Sequence, residues 1–289
     1  VTMSDSDMHA GLCTMSQRTF RRFRRFIQAE LGIKMPEAKQ TMLQARLQKR
    51  LRTLKIRTFE EYADYLFSDR GMAEELAHMI DVVTTNKTDF FRESQHFDYL
   101  TESVLPQLVR HFGAGVRRRA AVWSAGCSSG EEAYTLAMVL NEFRRRCPGF
   151  SYSVLGTDIS TRMLKSAASG IYPHSRIEPV PMRFRKKYLL KSRDRGKDLV
   201  RIVPELRAAV RFYRVNFMKN DFGIREQMDV VFCRNVLIYF DRENQEKILN
   251  SICRHLITGG YLFTGHSETL NGLNIPLSQV TSTVYRKTL

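Results

Sequence analysis

No stretch of the sequence approaches the ~20 consecutive apolar residues that a helix needs to span a bilayer, so nothing in it reads as a membrane anchor. Cysteine is sparse and unpaired. Cys13, Cys127, Cys147, Cys233 and Cys253 are odd in number, scattered, and without the spacing of a zinc site or a secreted disulfide framework, which fits a reducing cytoplasm. The first 15 residues, "VTMSDSDMHAGLCTM", have neither the cationic start nor the apolar run of a signal peptide and read as a loose tail. The seven histidines contain no H-E-x-x-H, and "GHSET", Gly265 to Thr269, lacks the last glycine of a nucleophile elbow. Metalloprotease and serine-hydrolase chemistry are therefore left without their residues. Acids are the minority charge. Forty-six Lys+Arg against 30 Asp+Glu give a formal net charge of +16, so an acidic partner is expected: nucleic acid, an anionic membrane face or an acidic protein.

What is present is ordinary globular material, 43% hydrophobic and 26% charged, and 289 residues leave room for two domains. From Thr19 to about Tyr99 the pattern is helical, punctuated by Gly32, Pro36, a capping box from Thr58 to Glu61, and Gly71. Leu43, Leu47, Leu51 and Leu54 recur at helical spacing and should face a core. Arg46, Lys49, Arg50 and Arg57 then project elsewhere, as a solvated face or as a docking surface for an acidic partner. After Ala120 short apolar strands alternate with helices: "AAVWSAG", a helix from Glu131, "YSVLGTD", a helix from Ser160, "VRFYRVNF", "MDVVFCRN", a helix from Arg242, and "GGYLFTGH". This is the pattern of an α/β fold with a mostly parallel sheet covered by helices. Between Tyr172 and Arg207 the rhythm breaks, and "KYLL" and "LVRIV" on either side of Gly196 predict an inserted hairpin-bearing subdomain. "SQVTSTVYRKTL" suits an antiparallel edge strand.

In "VWSAGCSSGEEAYTLAMVL" a strand runs through Gly126 and Gly130 into a helix, and the ligand of a doubly wound sheet lies beside such a turn. The spacing is not G-x-G-x-x-G, and a phosphate-loop Lys-Ser/Thr is absent. Glu131 and Glu132 in the first helical turn would cancel the field that attracts pyrophosphate. Such acids also simply complement a helix macrodipole. The next strand, however, ends on Asp158, where an acid characteristically binds ribose hydroxyls, unless it serves as a helix cap. Acids at both places suit a nucleoside carrying positive charge, as in S-adenosylmethionine. "DVVFCRNVLIYFD" is a buried strand stopping on Arg234 and Asn235, with Tyr239 just beyond. The segment "TTNKTDFFRES" offers Asn86, Thr88 and Arg92 as a lid, packed down by Phe90 and Phe91, or else is a helix cap and interdomain plug.

The ordered set "TTNKTDFFRE", "WSAGCSSGEEAYTLAM", "GTDIS", "VNF", "CRNVLIYF" and "GGYLFTGHSE" resembles the CheR family of chemotaxis receptor glutamate methyltransferases. The resemblance runs from about Ser16 onward. It implies a helical amino-terminal domain (16–83), a linker and connecting helix (84–112), and a Rossmann-like S-adenosylmethionine-dependent methyltransferase domain (113–289) with an antiparallel edge strand and a small antiparallel β insertion (173–208). Its cofactor contacts would fall on Asn86, Thr88, Arg92, Glu132, Asp158, Asn216, Phe217, Arg234 and Asn235, with Arg92 and Tyr239 near the transferred methyl. Arg46, Lys49 and Arg50 would grip the cytoplasmic methylation region of chemoreceptors. The implied enzyme is a cytoplasmic monomer, peripheral to the membrane only through its receptor. It needs no metal and no nucleic acid, and it converts S-adenosylmethionine to S-adenosylhomocysteine by in-line transfer to an ionised glutamate. An RNA methyltransferase would suit the charge, but "RNVLIY" lacks an N-P-P-Y-like arrangement. The third reading is a non-catalytic, cofactor-sensing module. Two departures stand out: Cys127 occupies a turn position where small residues are usual, suggesting sensitivity to thiol reagents, and "KSRDRGKD" has only Gly196 where members that dock a receptor pentapeptide carry a glycine-rich loop.

Overall fold

The computed structural model describes residues 14–194 and 196–288, so Val1 to Cys13 of the expected tail and Arg195 of the hairpin loop lie outside the described residues. Met15, placed in that tail by sequence, is buried, and its N–H donates to Gln44 Oε1. The chain forms two compact units that divide between Thr85 and Asn86. No helix among the described residues is long and apolar enough to cross a membrane.

The first unit is helical. Helix α1 (Gln17–Leu31) is capped by the Ser16 hydroxyl, which accepts from the Thr19 N–H, and it ends at Gly32 in the left-handed conformation. Its Phe20, Phe23, Ile27 and Leu31 recur at the spacing that brings side chains to one face, and all four are buried. In α2 (Gln40–Leu54) three of the four expected leucines, Leu43, Leu47 and Leu51, are buried, each contributing roughly 1.5–3 kcal/mol of apolar burial, while Leu54 at the helix end is only half-buried. Helix α3 (Phe59–Leu66) begins at the predicted capping residue: the Glu61 N–H donates to Thr58 Oγ1 at 3.1 Å. Helices α4 (Asp69–Glu74) and α5 (Leu76–Val83) complete the unit. Gly71, expected to break a helix, lies inside α4, because a Cβ there would stand 1.9 Å from the Tyr65 carbonyl oxygen.

In the second unit α6 (Gln95–Tyr99) passes through a π-turn into α7 (Leu105–Phe112). There follow β1 (Ala120–Ala125), α8 (Glu131–Arg146), β2 (Tyr152–Asp158), α9 (Thr161–Ser169), β3 (Ile171–Pro173), α10 (Met182–Tyr188), β4 (Leu189–Lys191), β5 (Leu199–Ile202), α11 (Pro204–Ala209), β6 (Val210–Arg214), β7 (Met228–Cys233), α12 (Arg242–His255), β8 (Leu256–Thr264), β9 (Leu277–Thr281) and β10 (Val284–Lys287). The main sheet has the order β6-β2-β1-β7-β8-β10-β9, with β6 through β8 parallel and the last two strands antiparallel. Every residue of β1 and β7 is buried. Alternate residues feed two cores: Val122, Val230 and Phe232 join α7 and α8, while Trp123, Val231 and Cys233 join α12. Burial on both faces is why these strands are continuous apolar runs. The chain winds one way from β1 to β2 and the other from β7 to β8, so β1 and β7 flank the crevice where such sheets bind ligands.

The insertion is the expected small antiparallel sheet, three-stranded in the order β3-β5-β4, and it carries α10. The carboxyl-terminal segment is a hairpin of two strands, with β10 against β8 and β9 at the edge.

Candidate active site

The carboxyl ends of β1, β2 and β7 carry the predicted chemistry. After β1 the chain turns back on β2, with the Gly126 and Cys127 N–H groups donating to the Thr157 carbonyl at 2.7 and 2.8 Å. Gly126 and Gly130 have φ of +84° and +95°, and a Cβ on Gly130 would stand 2.8 Å from the Ala167 Cβ. The turn therefore requires glycine sterically. Ser128 is also left-handed. Its N–H donates to Asp158 Oδ2 at 2.9 Å, and its hydroxyl donates to the Asn86 carbonyl at 2.9 Å. Asp158 Oδ1 accepts from the Ser160 N–H at 2.9 Å, while the Ser160 hydroxyl caps α9. The capping role considered for Asp158 thus belongs to Ser160, and Asp158 ties the glycine turn to the β2 loop.

Glu132 is held between Ser124 Oγ, which donates to it at 2.7 Å, and Arg234 Nη1 at 3.2 Å. Burial raises its pKa, opposed by the Arg234 charge and the Ser124 hydrogen bond. Glu131 faces elsewhere, accepting from Ser129 Oγ at 2.7 Å and Arg176 Nη2 at 3.0 Å, and burial raises its pKa too. The Arg234 side chain is only 2% exposed. Besides Glu132 it binds the Arg92 carbonyl at 2.6 Å and Glu93 Oε2 at 3.0 Å. Burial disfavours charge on Glu93, but Arg234, with His266 and His96 behind it, holds its pKa below the ordinary carboxylate value. The Arg92 side chain is by contrast 37% exposed, 4.0 Å from Glu93 Oε1. Two arginines thus occupy one site in different states: Arg234 is buried, with both terminal nitrogens engaged and Nε without a hydrogen-bond partner, and Arg92 reaches outward.

Asn235, left-handed at φ +58°, closes β7. Its N–H donates to Glu268 Oε2 at 2.8 Å, and the same carboxylate accepts from the N–H groups of Gly265, Leu237 and Ile238 at 2.7, 2.7 and 3.3 Å. That carboxylate positions the short turn bearing the half-buried Tyr239. The Val215 N–H donates to the Asp158 carbonyl at 3.0 Å, bringing the half-buried Asn216 and Phe217 to the same edge. Thr88 is half-buried in the segment after Asn86. Asn86 also lines a cavity of about 370 Å³ with Ser129, Glu131, Arg162, Tyr172 and Arg176, a volume within the range of small-molecule sites.

Glu93 and Glu268 were not predicted. The signals were an acid after Arg92 and an acid three residues after Gly265, and neither has meaning until tertiary contacts supply the partners. Cys127 departs from expectation. It is 1% exposed, and burial beside Asp158 and Glu132 pushes its thiol pKa well above the usual value, so it is not a reactive thiolate. In the first unit Arg46 donates to the Val83 carbonyl and to Thr85 Oγ1, Lys49 is exposed, and Arg50 pairs through two 2.7 Å hydrogen bonds with Glu75, which is 2% exposed.

The donor set suits an adenosyl sulfonium. Acids replace the phosphate-loop lysine at the glycine turn, a carboxylate stands at the second strand tip, and the turn cannot accept a side chain at Gly130. With the sheet order ending in an antiparallel hairpin, these features define the class as an S-adenosylmethionine-dependent methyltransferase. Residues 86–286 match the family described as CheR methyltransferase, SAM binding domain, and residues 18–84 match CheR methyltransferase, all-alpha domain. The chain belongs to the CheR methyltransferase family. It is 37% identical over 257 residues to the chemotaxis protein methyltransferase of Borreliella burgdorferi, covering 89% of each chain. It is 34% identical to chemotaxis protein methyltransferase 2 of Pseudomonas aeruginosa, covering 93% of each, and 35% identical to the chemotaxis protein methyltransferase of Escherichia coli, covering 94% of this chain and 91% of that one.

Proposed function

We propose that the protein forms γ-methyl esters on glutamate side chains of chemoreceptors, acting as a cytoplasmic monomer on their methylation region. Bound S-adenosylmethionine supplies an electrophilic methyl group and leaves as S-adenosylhomocysteine. The acceptor carboxylate, with an ordinary pKa of about 4.3, is already ionised near neutral pH and needs no general base. The residues' task is to orient it in line with the methyl group and to exclude water, which otherwise favours the separated charges.

The observation that carries this reading is the contrast between the two arginines. Arg234 engages Glu132, Glu93 and a carbonyl, whereas the partly exposed Arg92 guanidinium makes, among the described residues, a 4.0 Å approach to Glu93, a 3.5 Å contact to the Lys87 carbonyl and a longer-range attraction to Glu132. Arg92 therefore orients the incoming carboxylate, assisted by the Tyr239 hydroxyl. A saturated cation there would bind the acceptor too weakly, and a fully buried one would quench its nucleophilicity. Asp158 takes the ribose hydroxyls, Glu132 faces the cationic end, and Asn86, Thr88, Asn216, Phe217, Arg234 and Asn235 complete the cofactor contacts. Of the three expected docking residues on α2, Lys49 is exposed, while the Arg46 and Arg50 side chains are held by Val83, Thr85 and Glu75.

The test is incubation with methyl-labelled cofactor and receptor-bearing membranes, followed by alkali. Release of the label as methanol is expected, and it should be lost when the acceptor glutamates are changed to alanine. Alkali-stable label, or label recovered in RNA, would overturn the reading. Arg92→Ala should cut turnover strongly at saturating cofactor while S-adenosylhomocysteine still binds by calorimetry.

A further inference from the structure

Glu93, His96 and His266 converge from two distant parts of the second unit, the start of α6 and the loop after β8. His96 Nδ1 lies 3.5 Å and His266 Nε2 3.8 Å from the same oxygen, Glu93 Oε2. All three groups present ligand atoms within 4.8 Å of one another. The two imidazole rings stand at 82° with centroids 5.2 Å apart, edge to face. The His96 side chain is 5% exposed, and its Nδ1 has no hydrogen-bond partner. Such an orphaned buried atom is unfavourable unless something not yet counted meets it. The other nitrogen, Nε2, lies 2.7 Å from Thr283 Oγ1. With the proton on that nitrogen, Nδ1 turns its lone pair toward the carboxylate oxygen, and two acceptors then face each other. The backbone of Glu93 is left-handed at φ +54°, a conformation unusual for glutamate that must be imposed by its surroundings.

We propose that Glu93, His96 and His266 form a binding site for a divalent transition-metal ion of the zinc class, bordering the methyl-transfer site through the Glu93–Arg234 pair. Two imidazoles and one carboxylate are the donor set such ions prefer. Ligand atoms about 2.0–2.1 Å from a tetrahedral ion stand about 3.3 Å apart, so the 3.5 and 3.8 Å separations need to close by only tenths of an ångström. The remaining closure falls to His266, whose side chain is 55% exposed and free to rotate, and whose exposure leaves the fourth position to water. Thr283 on His96 Nε2 is the outer partner that fixes a ligating imidazole. Arg234, 3.0 Å from Glu93 Oε2, opposes the ion by charge, but Glu132 at 3.2 Å on its other side offsets that charge. With three protein ligands and this opposition, the site is weaker than a four-ligand structural zinc site.

The test uses the full-length, tag-free protein stripped with a chelator and titrated with Co²⁺. One equivalent should give the visible absorption of a low-coordinate cobalt site, be displaced by Zn²⁺, and disappear in His266→Ala. Because His266 is exposed, that variant should keep its denaturation midpoint in the absence of metal. A second variant, His96→Gln, should lose the spectrum as well. A titration that shows only the weak spectrum of the hydrated ion, or a spectrum retained in His266→Ala, would overturn the proposal.

Discussion

Replacing Arg234 by Met asks whether one buried cation is what allows two carboxylates to share the strand tips. The side chain is 2% exposed and donates to Glu132, Glu93 and the Arg92 carbonyl. Methionine keeps much of the apolar stem and removes every donor. Breaking a buried ion pair from one side costs about 3–5 kcal/mol, because the partner charge is left unpaired. Some of this cost is avoidable: burial already raises the pKa of Glu132, which can take up a proton once its cation is gone. The expected net loss is therefore about 2–4 kcal/mol near pH 8, shrinking as the pH falls and Glu132 becomes neutral. Adding Glu132→Gln should restore about 1–2 kcal/mol by removing the stranded charge. Trp123 is the single tryptophan and is fully buried in β1, so denaturant unfolding followed by its fluorescence reports the sheet unit. A loss below about 1 kcal/mol, or single effects that add to within about 0.5 kcal/mol in the double variant, would refute the coupling.

Three further outcomes follow from named contacts. Glu268→Gln should destabilise the sheet unit by at least about 1–3 kcal/mol despite its matching shape, since an amide NH₂ would face backbone N–H donors where an oxygen now accepts; an unchanged Trp123 unfolding midpoint would contradict this. In a Cys13→Ser/Cys147→Ser background the protein should resist a colourless-to-yellow disulfide reagent at pH 8 until denatured, because Cys127, Cys233 and Cys253 are all buried with raised thiol pKa values; rapid native-state reaction would show that the turn opens. Glu142 is subject to burial, but hydrogen bonds from Lys187 and Tyr188 outweigh it and depress its folded pKa, so its stabilisation is present above the unfolded value near 4.5 and is lost as pH falls through the folded one. Glu142→Gln should accordingly lower the denaturation midpoint at pH 7 and have little effect at pH 3, and a difference that persists in acid would rule out this linkage.

The main sheet was legible because its central strands are buried on both faces and so remain apolar throughout, from Val122 to Ala125 and from Val230 to Cys233. What escaped had no such signature. No glycine or proline marks the turn at Ser282 and Thr283, and the segment is rich in β-branched residues, so β9 and β10 read as one strand. Helix α10 lies in a proline-flanked basic run, where Phe184 and Tyr188 alone mark a buried face. Strand β3, at three residues, is shorter than any periodicity. In the site, Asp158 and Arg234 were visible because each stands at a strand end, and Glu132 because it opens the helix after the first strand, positions that topology makes functional. Glu93 and Glu268 were not, since each matters only through groups brought from more than thirty residues away or from a neighbouring loop.

Those two acids change the answer to why a basic chain concentrates carboxylates at one edge of its sheet. Asp158 ties the glycine turn to the β2 loop through two N–H groups, Glu268 ties the β7 loop to the β8 loop through four, and Glu132 ties α8 to β7 through Arg234. Asp158 and Glu268 each fasten two segments that sheet hydrogen bonding alone would leave independent, and Glu132 fastens a helix to a strand end. The same negative charge also repels phosphate and favours a cationic nucleoside. Rigidity and selectivity therefore come from the same atoms, which is why removing any one acid should disturb both the stability of the sheet unit and its affinity for S-adenosylhomocysteine, whereas changing the outward-reaching Arg92 should leave the stability of the sheet unit unchanged and lower turnover far more than cofactor affinity.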